Sequence, residues 1–346
     1  GSTFKISTFA AALEEGLIDM DNDHFYDSGS VIISGARIGC WKAGGHGDQT
    51  FLQVLQNSCN PGFVKLGQLL GKEKLFSYLD LFGFGSKTGI DLNGEGEGII
   101  FSLDKVGELE LATTAFGQGV SVTPIQQVTA VSSIVNGGKL YQPYIVKNIL
   151  EPETNTIIKS NDAKFVRNTI SLETSLKMRR ALESVVALGG GKAAYIDSYR
   201  VGGKTGTAQK VENGRYLVGN YIMSFMSVVP SNDPKAVLYI ALDNPKNTAL
   251  LSSYTTTPIA RRVLLDIIDA LDIPKQEGQI EKDYTWDDKV YYEVPNVEGL
   301  EVKEAKKLLT NWKIEYVGSG NKVISQSPKS GERLAMDETI VLLLGD

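Results

Sequence analysis

The chain has 346 residues, which is enough for one large domain and one small domain. With 42% hydrophobic and 22% charged residues it has the composition of a globular protein, and a net charge of −6 argues against a nucleic-acid partner. No apolar run reaches the roughly 18 residues of a membrane-spanning helix, and the two cysteines are too few for a disulfide scaffold.

The first segment predicts a helix over residues 3–18, because apolar side chains recur in it at helical spacing. Ser2 then lies at the helix N-terminus, and Lys5 lies one turn later on the same face. A serine becomes a nucleophile when a neighbouring base takes its proton. Since the chain has only two histidines, Lys5 is the better candidate base, provided that burial lowers its pKa. The alternative is a surface serine that caps a helix beside an unrelated lysine.

A second polar pair follows a region of turns. Residues 21–50 contain many Asp, Asn and Gly residues and predict loops with a hairpin. Helices are predicted next over 49–58 and 61–80, with Ser58 and Asn60 in the link between them. In this position the serine could relay a proton and the amide could hydrogen-bond a substrate. The alternative is a pair of ordinary helix caps.

A third polar group, Lys204-Thr205-Gly206, begins a predicted strand. Its ammonium and hydroxyl groups can hold a substrate carboxylate, and the glycine leaves room for an acyl group against the backbone. A second Lys-Thr-Gly sequence at residues 87–89 lies in a glycine-rich loop without a strand pattern. That second copy is therefore predicted to be structural.

The same strand is predicted to lie at the edge of an antiparallel sheet. Residues 221–229 and 236–242 are apolar runs separated by a turn, so they predict an antiparallel pair with the Lys204 strand beside it. Shorter extended pieces are predicted at 140–149 and 165–166. Helices are predicted over 124–136, over 172–187, and from Pro258 to near Leu271.

The domain boundaries follow from a change in composition near the C-terminus. We predict a large domain over residues 1–275, a polar linker over 276–292 and a small domain over 293–346. In the small domain a helix from Val302 to Trp312 precedes three strand-like pieces.

These motifs resemble the transpeptidase domain of a class B penicillin-binding protein followed by one PASTA domain. The resemblance rests on Gly-Ser-Thr-Phe-Lys at 1–5, Ser-Cys-Asn at 58–60 and Gly-Lys-Thr-Gly-Thr-Ala-Gln at 203–209. Phe116-Gly-Gln-Gly and Thr123-Pro124 support it, and in the tail so do Val294-Pro295 and Gln326-Ser-Pro328. The single PASTA domain is similar to the sporulation-specific, SpoVD-like branch of the family.

The resemblance implies an α/β (α+β) fold of the β-lactamase/transpeptidase type: an antiparallel sheet flanked by helices, plus a small αβ PASTA domain. It implies a D,D-transpeptidase that cross-links peptidoglycan stem peptides in spore cortex or septal wall synthesis and is inhibited by β-lactams. No cofactor is needed for that chemistry.

The resemblance also implies roles for the three motifs. Ser2 would be the nucleophile, Lys5 would activate it, and Ser58 would relay the proton. Asn60 would orient the substrate amide. On the strand, Lys204, Thr205 and Gly206 would receive the substrate carboxylate and acyl group, and the backbone N–H groups of Ser2 and Thr207 would form the oxyanion hole.

The same resemblance implies partners and a location. The substrates would be stem peptides on strands derived from lipid II, and the partner would be a membrane glycosyltransferase. The protein would lie on the extracytoplasmic face of the cell membrane, anchored by an N-terminal segment that this chain lacks. We therefore expect the chain to be a segment of a longer protein.

A separate group of residues suggests a metal site next to Ser58. Cys40, His46 and Cys59 are three zinc-type ligands close in sequence, with Asp27 as the expected fourth ligand and His24 as its competitor. A structural Zn²⁺ is the interpretation we favour over a disulfide or two free thiols.

Two other functions remain open from the sequence. One is a D,D-carboxypeptidase or β-lactamase of the same superfamily. The other is a non-catalytic β-lactam sensor or wall-binding scaffold.

Overall fold

The computed structural model describes residues 1–212, 215–245, 252–282, 291–310, 312–335 and 338–346. The chain divides into two compact units, Gly1–Lys282 and Asp283–Asp346. Residues 283–290 of the predicted linker lie outside the described residues. Within the described ranges, none of the helices has the length and apolar character needed to cross a bilayer.

The first unit opens with a 3₁₀ turn, Ser2–Phe4, that runs directly into helix α1, Lys5–Glu14. The helix is buried almost along its whole length, which agrees with its run of Phe, Ile, Ala and Leu. It ends before Gly16, whose φ of +62° leaves the helical region. The predicted helix over 3–18 is thus four residues too long at its C-terminal end.

Two small antiparallel pairs precede the Ser58 link. The outer pair joins β1 (His24–Asp27) to β4 (Gly47–Thr50), and the inner hairpin joins β2 (Ser30–Ile33) to β3 (Ala36–Gly39). The sequence predicts the inner hairpin, whereas the outer pairing joins strands separated by nineteen residues and is not visible in the local pattern. Because β1 and β4 pair, they bring Asp27 opposite Gly47.

Five further helices and four short strands make up the middle of the unit. They are α2 (Phe51–Gln56), α3 (Asn60–Leu81), α4 (Glu108–Ala115), α5 (Pro124–Val135), β5 (Lys139–Gln142), β6 (Asn148–Leu150), β7 (Ile157–Ser160), β8 (Lys164–Asn168) and α6 (Leu172–Leu188). Strand β5 pairs with β8, and β6 pairs with β7. Helix α4 is absent from our prediction.

The central sheet has the order β11-β10-β9, with all neighbours antiparallel. Its strands are β9 (Gly202–Glu212), β10 (Arg215–Val229) and β11 (Ala236–Asp243). The strand that begins with the Lys204 motif therefore lies at an edge, as the sequence predicts. Helix α7 (Ser252–Ala270) packs on β10 and starts six residues before Pro258, so the predicted start is wrong.

The core of the first unit lies on both sides of this sheet. One buried cluster joins α1, α2, α3, α5 and α6, and the other joins the sheet to α7 through residues such as Phe225, Val229 and Leu264. Helices on both faces of an antiparallel sheet confirm the predicted α/β (α+β) class.

The second unit has its own small core. A short helix and five strands surround Val294, Val297, Trp312 and Ile340. The elements are β12 (Tyr291–Glu293), α8 (Val302–Leu308), β13 (Lys313–Gly318), β14 (Lys322–Ser327), β15 (Arg333–Ala335) and β16 (Thr339–Gly345). In the larger sheet β16 lies between β13, to which it is parallel, and β14, to which it is antiparallel.

Candidate active site

Ser2 is held in a tight turn at the start of α1. The Phe4 backbone N–H donates to the Gly1 carbonyl at 2.9 Å. Gly117 packs directly against this turn: with φ of +85°, a Cβ there would lie 2.3 Å from the Gly1 carbonyl oxygen. Only glycine fits such a contact, so the residue 116–119 loop fixes the position of the serine.

Lys5 connects this turn to the Ser58–Asn60 link. Its Nζ donates to the Ser58 carbonyl at 2.8 Å, to Ser58 Oγ at 3.2 Å and to Asn60 Oδ1 at 2.7 Å. Ser58 has a φ of +53°, a strained value for a non-glycine residue, which is typical of functional sites. The structure therefore brings Lys5, Ser58 and Asn60 into one hydrogen-bonded group.

The environment of Lys5 changes its ionisation. The side chain is 0% exposed. Burial lowers the pKa of Lys5 from 10.5 to about 7, and the nearby Cys59 and Cys40 oppose the shift only in part. A lysine with this pKa is partly neutral at physiological pH and can accept a proton.

The edge strand β9 lies against the serine turn. A Cβ on Gly206 would lie 3.0 Å from the Thr3 backbone nitrogen, and one on Gly1 would lie 3.2 Å from the Thr207 carbonyl oxygen. Lys204 is 0% exposed and its Nζ donates to the Thr205 carbonyl at 3.1 Å. Burial, reinforced by the charge of Lys5, lowers the pKa of Lys204.

All three motifs thus meet around Ser2. The serine follows Gly1, which contacts β9, and precedes the lysine that binds the Ser58 link. The combination of a hydroxyl, a buried amine and an edge strand is suited to acyl transfer.

The second Lys-Thr-Gly copy has a different environment. The Thr88 and Gly89 backbone N–H groups donate to the Glu95 carboxylate at 2.6 and 3.0 Å, and Thr88 Oγ1 donates to it at 2.5 Å. This copy therefore binds a carboxylate of its own chain and closes a loop.

The proposed metal ligands form a compact cluster beside the site. The ligand atoms of Asp27, Cys40, His46 and Cys59 lie within 4.8 Å of one another. His46 Nδ1 lies 2.9 Å from Asp27 Oδ2 and 3.3 Å from Cys40 Sγ, and Cys59 Sγ lies 3.3 Å from the same carboxylate oxygen. The competitor His24 is exposed and pairs with Asp48 at 2.8 Å instead.

The electrostatics of the cluster favour a charged carboxylate at Asp27 and a thiolate at Cys40, whereas the hydrogen bond with Cys40 and burial raise the pKa of Cys59. Burial raises the pKa of Asp27, but hydrogen bonds with Cys40 and His46 outweigh it and hold that pKa low. The hydrogen bond with Cys59 lowers the pKa of Cys40 to about 6. Both thiols are free.

Sequence reasoning missed two residues that shape the site. Gly117 lies in a predicted family signature but gives no signal of its contact with Gly1. Ser252 has a hydroxyl that donates to the Gly206 carbonyl, and it lies in a segment that we had placed before the start of the helix. In each case the contact joins segments more than 40 residues apart, which a local pattern does not reveal.

Comparison with known proteins shows the family of the chain. Residues 1–266 match the penicillin-binding protein transpeptidase domain, and residues 292–346 match the PASTA domain. The chain therefore belongs to the penicillin-binding protein transpeptidase family and carries a PASTA domain, as the resemblance implied.

The similar curated proteins include a sporulation protein and a peptidoglycan D,D-transpeptidase. Stage V sporulation protein D of Bacillus subtilis is 54% identical over 334 residues, covering 96% of this chain and 52% of that protein. A peptidoglycan D,D-transpeptidase FtsI homologue of Mesostigma viride is 31% identical, covering 79% of this chain and 50% of that protein. The chain thus spans about half the length of these relatives.

Solved structures show the same fold. Penicillin-binding protein 3 of Mycobacterium tuberculosis in complex with aztreonam has a TM-score of 0.73 and 27% identity, covering 82% of this chain and 65% of that one. The transpeptidase domain of Burkholderia pseudomallei penicillin-binding protein 3 has a TM-score of 0.71 and 27% identity, covering 80% of each chain.

Proposed function

We propose that the chain is the catalytic part of a serine D,D-transpeptidase that cross-links peptidoglycan stem peptides during spore cortex or septal wall synthesis. The activity agrees with the names of the relatives, and the sporulation role with the 54% identity to stage V sporulation protein D. Aztreonam bound to a relative of the same fold supports β-lactams as inhibitors.

One observation carries the proposal: the buried Lys5 amine is hydrogen-bonded to both Ser58 and Asn60, while β9 lies against the serine turn. Burying a charged amine costs free energy, which hydrogen bonds offset in part and which favours the neutral form of the group. Here its lowered pKa equips it to act as a general base.

In the first half of the reaction, neutral Lys5 accepts the Ser2 proton and Ser2 Oγ attacks the carbonyl of the penultimate D-Ala. The backbone N–H groups of Ser2 and Thr207 stabilise the negative oxygen that develops. The C–N bond then breaks, and the Lys5 proton passes through Ser58 to the leaving amine of terminal D-Ala.

In the second half, an amine of a neighbouring stem peptide attacks the ester carbonyl. It loses its proton by the same route in reverse, and Ser2 leaves with a proton. Asn60 holds the substrate amide, and Lys204 and Thr205 hold the terminal carboxylate beside Gly206.

The four-residue cluster of Asp27, Cys40, His46 and Cys59 is proposed to hold a structural Zn²⁺. Two thiols, an imidazole and a carboxylate are a donor set that zinc accepts in tetrahedral geometry. Their mutual distances suit a single ion. Because Cys59 lies between Ser58 and Asn60, the ion would fix the link that binds Lys5 and would take no part in the chemistry.

The partners and location follow from the same family. Stem peptides on strands derived from lipid II are the substrates, a membrane glycosyltransferase supplies those strands, and the chain works on the extracytoplasmic face behind an N-terminal anchor. We also propose the domain division predicted from the sequence, with a large domain over residues 1–275, a linker over 276–292 and a small domain over 293–346. Residues 276–280 belong to the compact unit Gly1–Lys282 and hydrogen-bond within it, for example from the Gln276 N–H to the Ser198 carbonyl at 2.7 Å.

A product analysis tests the proposed activity. The purified protein is incubated with a glycosyltransferase and lipid II, and the muropeptides are separated and weighed. We expect cross-linked dimers with release of one D-Ala per cross-link. Release of D-Ala without dimers would identify a carboxypeptidase, and rapid hydrolysis of penicillin would identify a β-lactamase. A protein that binds penicillin but gives no dimers, no D-Ala and no hydrolysed penicillin would be a sensor.

A further inference from the structure

Behind the catalytic strand, a buried serine hydroxyl touches two successive residues of β9. Ser252, the first residue of α7, is 1% exposed, and its Oγ donates to the Gly206 carbonyl oxygen. The same Oγ lies 2.8 Å from Thr207 Oγ1. Since Ser252 has one hydroxyl proton and gives it to Gly206, Thr207 must donate to Ser252. A chain of hydrogen bonds therefore runs from Thr207 through Ser252 to Gly206.

The helix holds Ser252 firmly in this place. Thr256 Oγ1 and Thr257 Oγ1 donate to the Ser252 carbonyl at 3.0 and 3.1 Å, and both threonines are 0% exposed. Buried hydroxyls with fixed partners have little rotational freedom. The position of the Ser252 hydroxyl is thus set by the first two turns of α7.

This hydroxyl acts on a particular peptide unit. The Gly206 carbonyl and the Thr207 N–H belong to one planar trans unit, in which the C=O and N–H bonds point in opposite directions. A donor that holds the carbonyl from the α7 side therefore directs the N–H away from α7. Because the peptide unit is planar, Ser252 sets the orientation of the Thr207 N–H without contacting that group.

A second hydroxyl reaches the same carbonyl. Ser224 Oγ, on the neighbouring strand β10, donates to the Gly206 carbonyl oxygen at 3.4 Å and is also buried. Hydrogen bonds to a carbonyl polarise its amide and strengthen the N–H at the other end as a donor. The longer distance makes this contribution the weaker of the two.

We propose that Ser252 is a positioning residue for acyl transfer: through the Gly206–Thr207 peptide unit, it orients the Thr207 N–H that stabilises the oxyanion. This inference rests on the proposed function, in which that N–H is one of two oxyanion donors. Ser252 itself contacts neither the substrate nor Ser2 Oγ in this role.

Stopped-flow acylation by a fluorescent penicillin tests the role, because it separates the dissociation constant of the first complex from the acylation rate constant. For Ser252→Ala we expect the rate constant to fall roughly tenfold, less than the 10²- to 10³-fold typical of losing a donor outright. The dissociation constant should change less than about twofold, because the carboxylate contacts remain. Ser252→Thr keeps the hydroxyl and should restore the rate constant to within about threefold of the unmodified protein.

Two further variants complete the experiment. Ser253→Ala is the matched control on the same turn and should acylate at the unmodified rate. Ser224→Ala removes the weaker hydroxyl from the same carbonyl and should lower the rate constant roughly two- to fourfold, which tests the peptide-plane argument even where Ser252→Ala fails to fold. Thermal melts of all variants report folding.

The outcomes separate this inference from the proposed function. A protein that is not acylated at Ser2 at all would refute the function. If the protein is acylated but Ser252→Ala or Ser224→Ala reacts at the unmodified rate, only the inference fails. The inference also fails if the acylation rate constant of Ser252→Thr falls as far as that of Ser252→Ala. In that case the hydroxyl is not needed, and Ser252 contributes only packing.

Discussion

Asn60 Oδ1 accepts a hydrogen bond of 2.7 Å from Lys5 Nζ, and this contact joins the first helix of the chain to the start of α3. The same ammonium nitrogen is bound to Ser58 on the other side. Lys5 is thus fixed in place by both residues of the link, as the proposed proton relay through Ser58 requires.

The pH dependence of acylation should follow Lys5. Burial lowers the pKa of Lys5 to about 7, and only the neutral amine accepts the Ser2 proton. The rate constant for acylation by a penicillin should therefore rise roughly tenfold per pH unit below this value and level off above it. Stopped-flow measurements between pH 5.5 and 8.5 provide the profile.

Stability should change with pH in the same direction. Unfolded Lys5 has a pKa near 10.5 and keeps a proton that the folded chain releases above about 7. Between these two values the unfolded state binds more protons, so the contribution of Lys5 to the unfolding free energy rises with pH. Lys177→Gln, an exposed lysine variant, is the control and should leave both profiles unchanged. A flat acylation profile would rule out Lys5 as the base.

Gly206→Ala should damage the site more than the fold. A methyl group there would lie 2.6 Å from Ser224 Oγ and 3.0 Å from the Thr3 backbone nitrogen, so the serine turn must move away from β9. We expect acylation to slow by more than tenfold, with a loss of about 1–3 kcal/mol in unfolding free energy. Acylation kinetics and urea denaturation measure the two effects.

Gly39→Ala is the matched control for this variant. Gly39 is also a strand glycine, but a Cβ there would meet no atom within 4 Å. Gly39→Ala should leave the acylation rate constant and the unfolding free energy nearly unchanged. If Gly206→Ala and Gly39→Ala lose acylation rate and unfolding free energy to the same extent, then the space that Gly206 leaves beside Thr3 is not important.

Glu183→Ala should strongly destabilise the first unit. Glu183 is 2% exposed and accepts hydrogen bonds from Arg200 at 2.8 Å, Ser231 at 2.5 Å and the Ile280 N–H at 3.1 Å. Removing it leaves the half-buried Arg200 guanidinium without its partner. A loss of about 3–5 kcal/mol is expected in urea denaturation.

Glu173→Ala on the same helix is the control, because Glu173 is exposed and forms only a surface pair with Lys177. It should leave the denaturation midpoint almost unchanged. A midpoint for Glu183→Ala equal to that of the control would contradict the buried network as a source of stability.

Removal of metal should lower stability if the cluster at Cys59 holds zinc. We expect about one zinc per chain by elemental analysis. A strong chelator should lower the melting temperature, because metal bound only by the folded state stabilises it. Cys59→Ser and His46→Ala should abolish the metal, whereas His24→Ala should retain it, since His24 is exposed and outside the cluster. A metal-free protein indifferent to the chelator, or a Cys40–Cys59 cross-link found by mass, would refute the zinc proposal.

The sequence predicted the parts of the site that depend on short motifs. The edge position of the Lys204 strand followed from three apolar runs and one turn, and the structure has that order. The helix predicted over 124–136 is α5, Pro124–Val135, and the structure shows that Thr123 caps it in a capping box with Gln126. These features are local, so a local pattern reveals them.

The parts that sequence reasoning missed depend on contacts between distant segments. The start of α7 at Ser252 was missed because Pro258 resembles a helix start, whereas it lies inside the helix, six residues after Ser252. Ser252 meets Gly206, 46 residues away, and Gly117 meets Gly1. Tertiary packing brings such pairs together, and the periodicity of the sequence does not indicate them.

Peptide mapping after labelling tests the central claim most directly. The protein is incubated with a labelled penicillin, digested, and analysed by tandem mass spectrometry. The account predicts one adduct per chain, on Ser2, and no labelling of a Ser2→Ala variant. An adduct on Ser58 or on any other residue, or a Ser2→Ala variant that is still labelled, would contradict it.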